Sequence, residues 1–381
     1  MEKSNKNSIT FFTPSLQKTG SEIVLFNLLP YILKSHKATV ITKHKGVLYE
    51  KISPEIQKVY LYKKPLTDSF VSRFIHKIRR EFIIPKIFKK QENSFWYLNT
   101  IMLPEVLKYA KENNIAACVH VHELQQMYTS LKKEQIETLL TFPKFIIANS
   151  IASKSVLREM GCKLPIEIIY PAIDTNEIKA DEEKKIIYRA KLKIKPTDFV
   201  WVMSGTLDGN KNPLLFIEIT KALKQKTTNF KMMWLGDSPI KNLYAEECKK
   251  TATQLGLSDD IIWAGNIKED YYNYLNCADG FVLTSKKESF SLVTLEALLL
   301  GLPVVATNCE GVNEILKNDV GVITKTTTNA EEMAYEMNNF MQGIYKTNID
   351  KGRMRAKKFD IKVWGNKWSE VLNSYFAKEL F

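Results

Sequence analysis

Residues 288–307, ESFSLVTLEALLLGLPVVAT, constrain this chain more tightly than any other stretch. An apolar run at 280–284 precedes them and a second at 302–306 closes them, so the order is strand, loop, helix, strand. Leu292, Val293, Leu295, Ala297, Leu298, Leu299 and Leu300 leave the helix almost no polar face. It is therefore expected to be buried, yet Glu296 sits inside it. A buried carboxylate is costly unless something hydrogen-bonds to it.

Position suggests the partner. The loop 285–290 leaves the carboxyl end of a parallel strand, where open α/β sheets bind their ligands. The helix then begins near Ser291, and its free backbone N–H groups and positive dipole end favour phosphate. A carboxylate just beyond can accept from a ribose diol, as an acidic residue does in dinucleotide-binding folds. The plainer alternative makes Glu288 an ordinary loop carboxylate and Glu296 the partner of a core lysine or arginine.

As a whole the stretch resembles the signature of retaining glycosyltransferases of the GT-B fold, family 4, written E-G-F-G-hydrophobic-x-x-L-E-A-x-x-x-G-x-P-V-V-A-T. Ser289 and Ser291 replace the two glycines, while Glu288, Phe290, Leu295, Glu296, Ala297, Gly301, Pro303, Val304, Val305, Ala306 and Thr307 match. The resemblance implies that Glu288 contacts donor-sugar hydroxyls and Glu296 the ribose, with Phe290, Ser291 and Leu292 in the same donor-binding stretch. Glu314, in the 310–314 run that completes the pattern, is expected to be a helix N-terminal carboxylate rather than a catalyst.

A chain of 381 residues usually splits into two domains, and 45% hydrophobic with 25% charged residues describes a globular protein. Its five cysteines are scattered, without a C-x-x-C pair, and read as reduced thiols in a cytosolic protein. No signal-like leader and no run of about 18 apolar residues occurs, so the chain is expected to be soluble or peripheral at the inner face of the cell membrane. Residues 1–170 hold 26 Lys and Arg against 14 Asp and Glu, whereas residues 171–381 hold 29 against 28. Nearly all of the +13 formal charge lies in the first part, as do all five histidines.

In that first part, strands are expected at 8–12, 38–42, 59–62, 117–121 and 145–148, alternating with helices at 22–33, 101–113, 131–140 and 151–160. Such alternation implies a parallel sheet. The run Thr19-Gly20-Ser21-Glu22 opens the first helix and falls where the family has G-G-x-E; it is either a phosphate-facing turn at Gly20 or a plain β-α connection. His120 and His122 flank one residue at the end of what counts as the fourth strand and share a face. The family often has a histidine here, near donor phosphate or acceptor, and His122 is the choice. Residues 71–90, VSRFIHKIRREFIIPKIFKK, interleave seven cations with apolar residues. The segment is either an interfacial element for an anionic membrane or a solvated helix packing its stripe internally.

IIYPAIDTNEI, residues 168–178, resembles the family's interdomain connector and places the boundary near 170. Residues 1–170 are thus expected to form an acceptor-binding domain and 171–361 a nucleotide-sugar-binding domain, with the C-terminal helix 362–381 returning to the first. After a strand at 199–204, Gly205 to Lys211 opens a helix as a phosphate-binding loop does, although a lone lysine there is also commonly solvated. In the family this loop carries G-R-x-x-x-x-K and supplies cations to the donor diphosphate; Lys211 matches, and Thr206 stands at the arginine position. Gly236 resembles the family's glycine turn after the next strand, and Asn266 lies in the turn whose backbone faces the base.

The resulting expectation is an α/β fold of GT-B type, with two doubly wound Rossmann-like domains facing each other across a cleft. Its activity would be retaining, metal-independent transfer from a UDP- or GDP-linked sugar to a glycan or lipid-linked acceptor, with no other cofactor. No Asp-x-Asp motif occurs. Two rivals stay open: a GT-B-fold nucleotide-sugar epimerase, and a non-catalytic nucleic-acid-binding protein. The second is disfavoured by the absence of a basic stripe with aromatic platforms.

Overall fold

Short runs of branched and aromatic residues, each closed by a polar or glycine-bearing loop, form the strands of two parallel sheets. The computed structural model describes residues 8–17, 20–61, 79–238, 243–267, 269–317, 320–346, 348–371 and 374–375. The chain divides into two compact units, Met1–Pro171 with Lys362–Phe381, and Ala172–Ile361.

The first unit holds β1 (Ser8–Thr13), β2 (Lys37–Thr42), β3 (Gln57–Tyr60), β4 (Phe95–Leu98), β5 (Ala117–Val121), β6 (Phe145–Ala148) and β7 (Ile166–Ile168). They pair in parallel in the order β3-β2-β1-β4-β5-β6-β7. The second holds β8 (Phe199–Ser204), β9 (Phe230–Leu235), β10 (Ile261–Gly265), β11 (Gly280–Leu283), β12 (Val304–Ala306) and β13 (Val322–Ile323), in the parallel order β10-β9-β8-β11-β12-β13. Helices cover both faces of such a sheet, which is why β4, β5, β6 and β11 are buried along their whole length. Strand order reverses between β1 and β4 and again between β8 and β11. Those are the topological switch points, where ligands of open α/β sheets sit.

Each core is anchored by aromatic packing. In the first unit the Phe12 ring lies 4.5 Å from Trp96 and 5.5 Å from Phe88, and in the second Phe216 meets Trp234 at 5.1 Å. The helix Ile361–Val371 buries Trp364, Trp368 and Val371. Trp364 packs on Tyr31 at 5.8 Å and Trp368 on Tyr97 at 5.9 Å, so this last helix completes the first unit.

Three expectations change. β4 was not foreseen, because FWYL is an unbroken apolar run of four with no alternation to mark it, so the His120-Val121-His122 run ends the fifth strand rather than the fourth. Glu314 is buried at the fifth position of the six-residue helix Glu310–Ile315, beyond its first turn; Glu310 holds the N-terminal place. In the basic segment, residues 71–78 lie outside the described residues, and the rest divides between core and surface. Ile84 and Phe88 are buried in the core, whereas Phe82 and Ile83 are 61% and 41% exposed beside exposed Lys86, Lys89 and Lys90. The five cysteines are free and buried.

Candidate active site

Because β8 and β11 are neighbours, the loops that leave them run side by side. Lys286 N donates to Asn210 O (2.8 Å), Asn210 Nδ2 to Lys287 O (3.0 Å) and Thr284 Oγ1 to Lys211 O (2.7 Å), which stitches the loops together. Within the first loop, Asp208 Oδ1 accepts from the backbone N–H of Asn210 and of Lys211, each at 2.9 Å. This fixes where Lys211 leaves the loop.

Its ammonium meets Glu288 at 2.5 Å, with the two side chains only 22% and 11% exposed. Gly205 makes room for the lysine stem: a Cβ there would lie 3.1 Å from three of its carbons. Burial works against the ammonium, but the Glu288 carboxylate and then Asp208 outweigh it and raise the Lys211 pKa. The cation is therefore held charged at the switch point. From the other side, Gly311 N donates to Glu288 O at 2.8 Å, and a Cβ on Gly311 would stand 2.3 Å from Ser289 O. The loop carrying Glu288 is clamped against a backbone that admits no side chain.

The helix Leu292–Leu300 starts at the end of that loop. Ser291, buried at its N-cap, accepts from Thr294 Oγ1 at 2.8 Å, so its hydroxyl is turned into the helix. Leu292 follows as a half-buried residue of the first turn. Glu296 is half-buried rather than fully buried, and its carboxylate has protein donors: Tyr271 Oη at 3.1 Å from Oε2 and Tyr272 Oη at 3.3 Å from Oε1. Sequence reasoning missed both tyrosines. Nothing in YYNYL marks them out, and only the fold shows that their hydroxyls converge on Glu296.

The remaining second-unit residues take different places. The Phe290 ring is buried against Phe359 at 5.3 Å, so the ring serves the core and only its backbone borders the loop. Thr206 is exposed, with its hydroxyl given to Asp208. Gly236 adopts φ 124°, pairs with Gly265 O at 2.9 Å, and presses on Gly205 so closely that a Cβ would fall 2.2 Å from Gly205 O. Asn266 is exposed in the turn beyond.

In the first unit, the carboxyl ends of β1, β4 and β5 gather a second set. Gly20 is the exposed first residue of the helix Gly20–Ile32, and Asn99 Nδ2 donates to Ser21 O at 3.0 Å. Glu22, buried, accepts from Ser15 Oγ. His120 is fully buried with Nδ1 2.5 Å from Tyr97 Oη, its ring 4.0 Å from that of His122; His122 Nε2 lies 3.4 Å from Asn99 Oδ1. Burial pushes the His122 imidazole down to about 3, and burial with the neighbouring His122 pushes His120 well below its ordinary value.

Both rings are therefore neutral at physiological pH. In an NMR titration of the five histidines, two sets of imidazole resonances are expected to stay unshifted between about pH 5 and 8, where ordinary histidines titrate. Two titrating rings in their place would contradict the burial described. The unfolded chain takes up these protons as pH falls below about 6.5 and the folded chain does not, so the first unit should lose stability from there downward.

Among the described residues, no group of three or more His, Cys, Asp or Glu is placed to hold a metal ion, and no helix is long and apolar enough to cross a membrane.

Residues 184–352 match the model of the family described as Glycosyl transferases group 1. An uncharacterized glycosyltransferase of Methanocaldococcus jannaschii, MJ1607, is 24% identical over 58% of this chain and 58% of its own length. This chain thus spans little more than half of that relative. Aligned almost end to end, over 96% of this chain and 98% of the relative, is the GalNAc-alpha-(1->4)-GalNAc-alpha-(1->3)-diNAcBac-PP-undecaprenol alpha-1,4-N-acetyl-D-galactosaminyltransferase of Campylobacter jejuni, at 20% identity. Among solved structures, Anabaena Alr3699/HepE in complex with UDP and glucose superposes with a TM-score of 0.82 at 22% identity, covering 96% of this chain and 99% of that one. At that identity the likeness speaks for the fold, which is GT-B. The match to the glycosyl transferases group 1 model lies within the second unit, which is the part of the chain that resembles that family.

Proposed function

We propose that this protein transfers a sugar, with retention at the anomeric carbon, from a nucleoside-diphosphate sugar to a glycan or lipid-linked acceptor. The observation that carries this reading is the Lys211–Glu288 pair, held at the switch point of the second unit with Glu296 on the adjoining helix. An ammonium has three donors, so Lys211 can keep Glu288 and still meet a diphosphate oxygen. As the anomeric carbon–oxygen bond breaks, negative charge builds on the departing diphosphate, and a preorganised cation and the N-terminus of the helix Leu292–Leu300 stabilise it. Glu288 has a second oxygen for donor-sugar hydroxyls, and Glu296 accepts from the ribose. His122, neutral, stands in the first unit as the candidate group beside the acceptor. The Campylobacter relative, named for an undecaprenol-linked acceptor, supports the lipid-linked side of this reading.

The test is to incubate the protein with UDP-, GDP- and ADP-sugars, with and without lipid-linked and soluble glycan acceptors, following nucleoside diphosphate release and the anomeric configuration of the product. Acceptor-dependent release with an unchanged anomer is the expected result. Interconversion of the free donor without acceptor overturns it, and so does an inverted product for the retaining part.

A membrane-bound acceptor also fits the surface of the first unit, where Phe82 and Ile83 stand exposed among Lys86, Lys89 and Lys90. Each lysine near an anionic leaflet contributes about 1 kcal/mol, screened by salt. Wild type should sediment with anionic vesicles at low salt and much less with neutral ones, and changing the three lysines to glutamine should lower the binding constant roughly 100-fold. Wild type remaining in the supernatant at low salt rejects membrane attachment.

A further inference from the structure

Tyr271 and Tyr272 open the five-residue helix Tyr271–Leu275, entered through Asp270 in the left-handed region at φ 59°. Consecutive helical residues ordinarily point about 100° apart. Here the sharp entry brings both hydroxyls to one carboxylate, one at each oxygen of Glu296, with the rings 5.3 Å apart. Tyr271 Oη is also 2.9 Å from Ser204 Oγ, at the end of β8. Tyr271 Oη is the donor in both contacts, to Ser204 Oγ and to Glu296 Oε2, so its one proton is shared between them. The strand end, two hydroxyls and the carboxylate form a chain that fixes the Glu296 rotamer. A carboxylate has about four acceptor positions, so two tyrosine donors do not exhaust it.

We propose that Tyr271 and Tyr272 are positioning residues that hold the Glu296 carboxylate in the orientation from which it accepts both hydroxyls of a nucleotide ribose. The pair sets selectivity for ribose over deoxyribose without touching the nucleotide. This rests on the ribose reading of Glu296. Burial and the Glu296 charge raise both phenol pKa values, so the two groups remain donors across the working range of pH.

The experiment is calorimetry with UDP and GDP and with their 2′,3′-dideoxy counterparts, on wild type, Glu296→Ala, Tyr271→Phe, Tyr272→Phe and the double phenylalanine variant, each checked for an unchanged melting profile. Wild type should prefer the ribonucleotide by at least tenfold, and Glu296→Ala should erase that preference. Each Tyr→Phe should reduce it about fivefold, since each removes one hydrogen bond, while dideoxynucleotide affinity stays at the wild-type value. If the double variant keeps the full preference while Glu296→Ala loses it, the tyrosines are structural only and the proposal fails. Equal loss of affinity for both ligand forms in the tyrosine variants refutes it as well. A Glu296→Ala variant with wild-type preference, or a wild type that binds neither nucleotide, instead rejects the ribose reading beneath it.

Discussion

Lys211→Ala is expected to lower transfer at least about 100-fold and, at the same time, to destabilise the second unit by roughly 3 kcal/mol. The two losses have different origins. Transfer falls because the cation that meets the developing diphosphate charge is gone. Stability falls because Glu288, 11% exposed, is left as an uncompensated carboxylate. The double variant Lys211→Ala with Glu288→Gln separates them. A neutral amide no longer needs the ammonium, so stability should return to within about 1 kcal/mol of wild type while transfer stays lost. Denaturant titration followed by fluorescence of the buried Trp201 and Trp234, with turnover measured in parallel, supplies both readings. A Lys211→Ala protein as stable as wild type would remove the pair from the account.

Gly311→Ala is the second large effect. The added methyl has no exit, since its neighbours are backbone atoms of Glu288 and Ser289 at 2.3–2.7 Å rather than the end of a flexible side chain. The loop that presents Glu288 must shift, at a cost of about 1–3 kcal/mol in overpacking. Displacing a catalytic group by about 1 Å costs on the order of 100-fold in rate. Turnover should therefore fall by about that factor while Glu296-dependent nucleotide binding is less affected. Gly352→Ala is the matched control: it sits in the helix Ile349–Lys357 with its nearest contact, the Leu298 side-chain end, at 3.4 Å. It should be close to neutral or slightly stabilising. Equal behaviour of the two variants would mean that the clamp on the Glu288 loop is dispensable.

How much of this could be read from the amino acids differs by residue. Glu288, Lys211 and Glu296 were nameable chiefly because their stretches resemble the glycosyltransferase signature; taken alone they also read as a loop carboxylate, a solvated lysine and a partner for a core cation. That Lys211 and Glu288 bind each other was not legible. They are 77 positions apart, and only the adjacency of β8 and β11 unites their loops. Phe290 was named as part of the donor-binding stretch, and what the sequence did not show is that its ring packs on Phe359. Tyr271 and Tyr272 carried no signal at all, since a tyrosine in a short amphipathic run looks apolar until its hydroxyl has a partner. The doubly wound sheets were the most legible feature, apart from β4 and the short strands β7 and β13, which lack the alternation or length that marks a strand.

The helix Ile361–Val371 lies after the whole of the second unit in the chain yet belongs to the first, where Trp368 stands 5.8 Å from the His120 ring and 5.9 Å from Tyr97. During synthesis, the first residues to leave the ribosome therefore cannot finish folding first. The earlier unit waits with the Tyr97 and His120 side of its sheet uncovered while the later one is made, and it closes only when the last helix arrives.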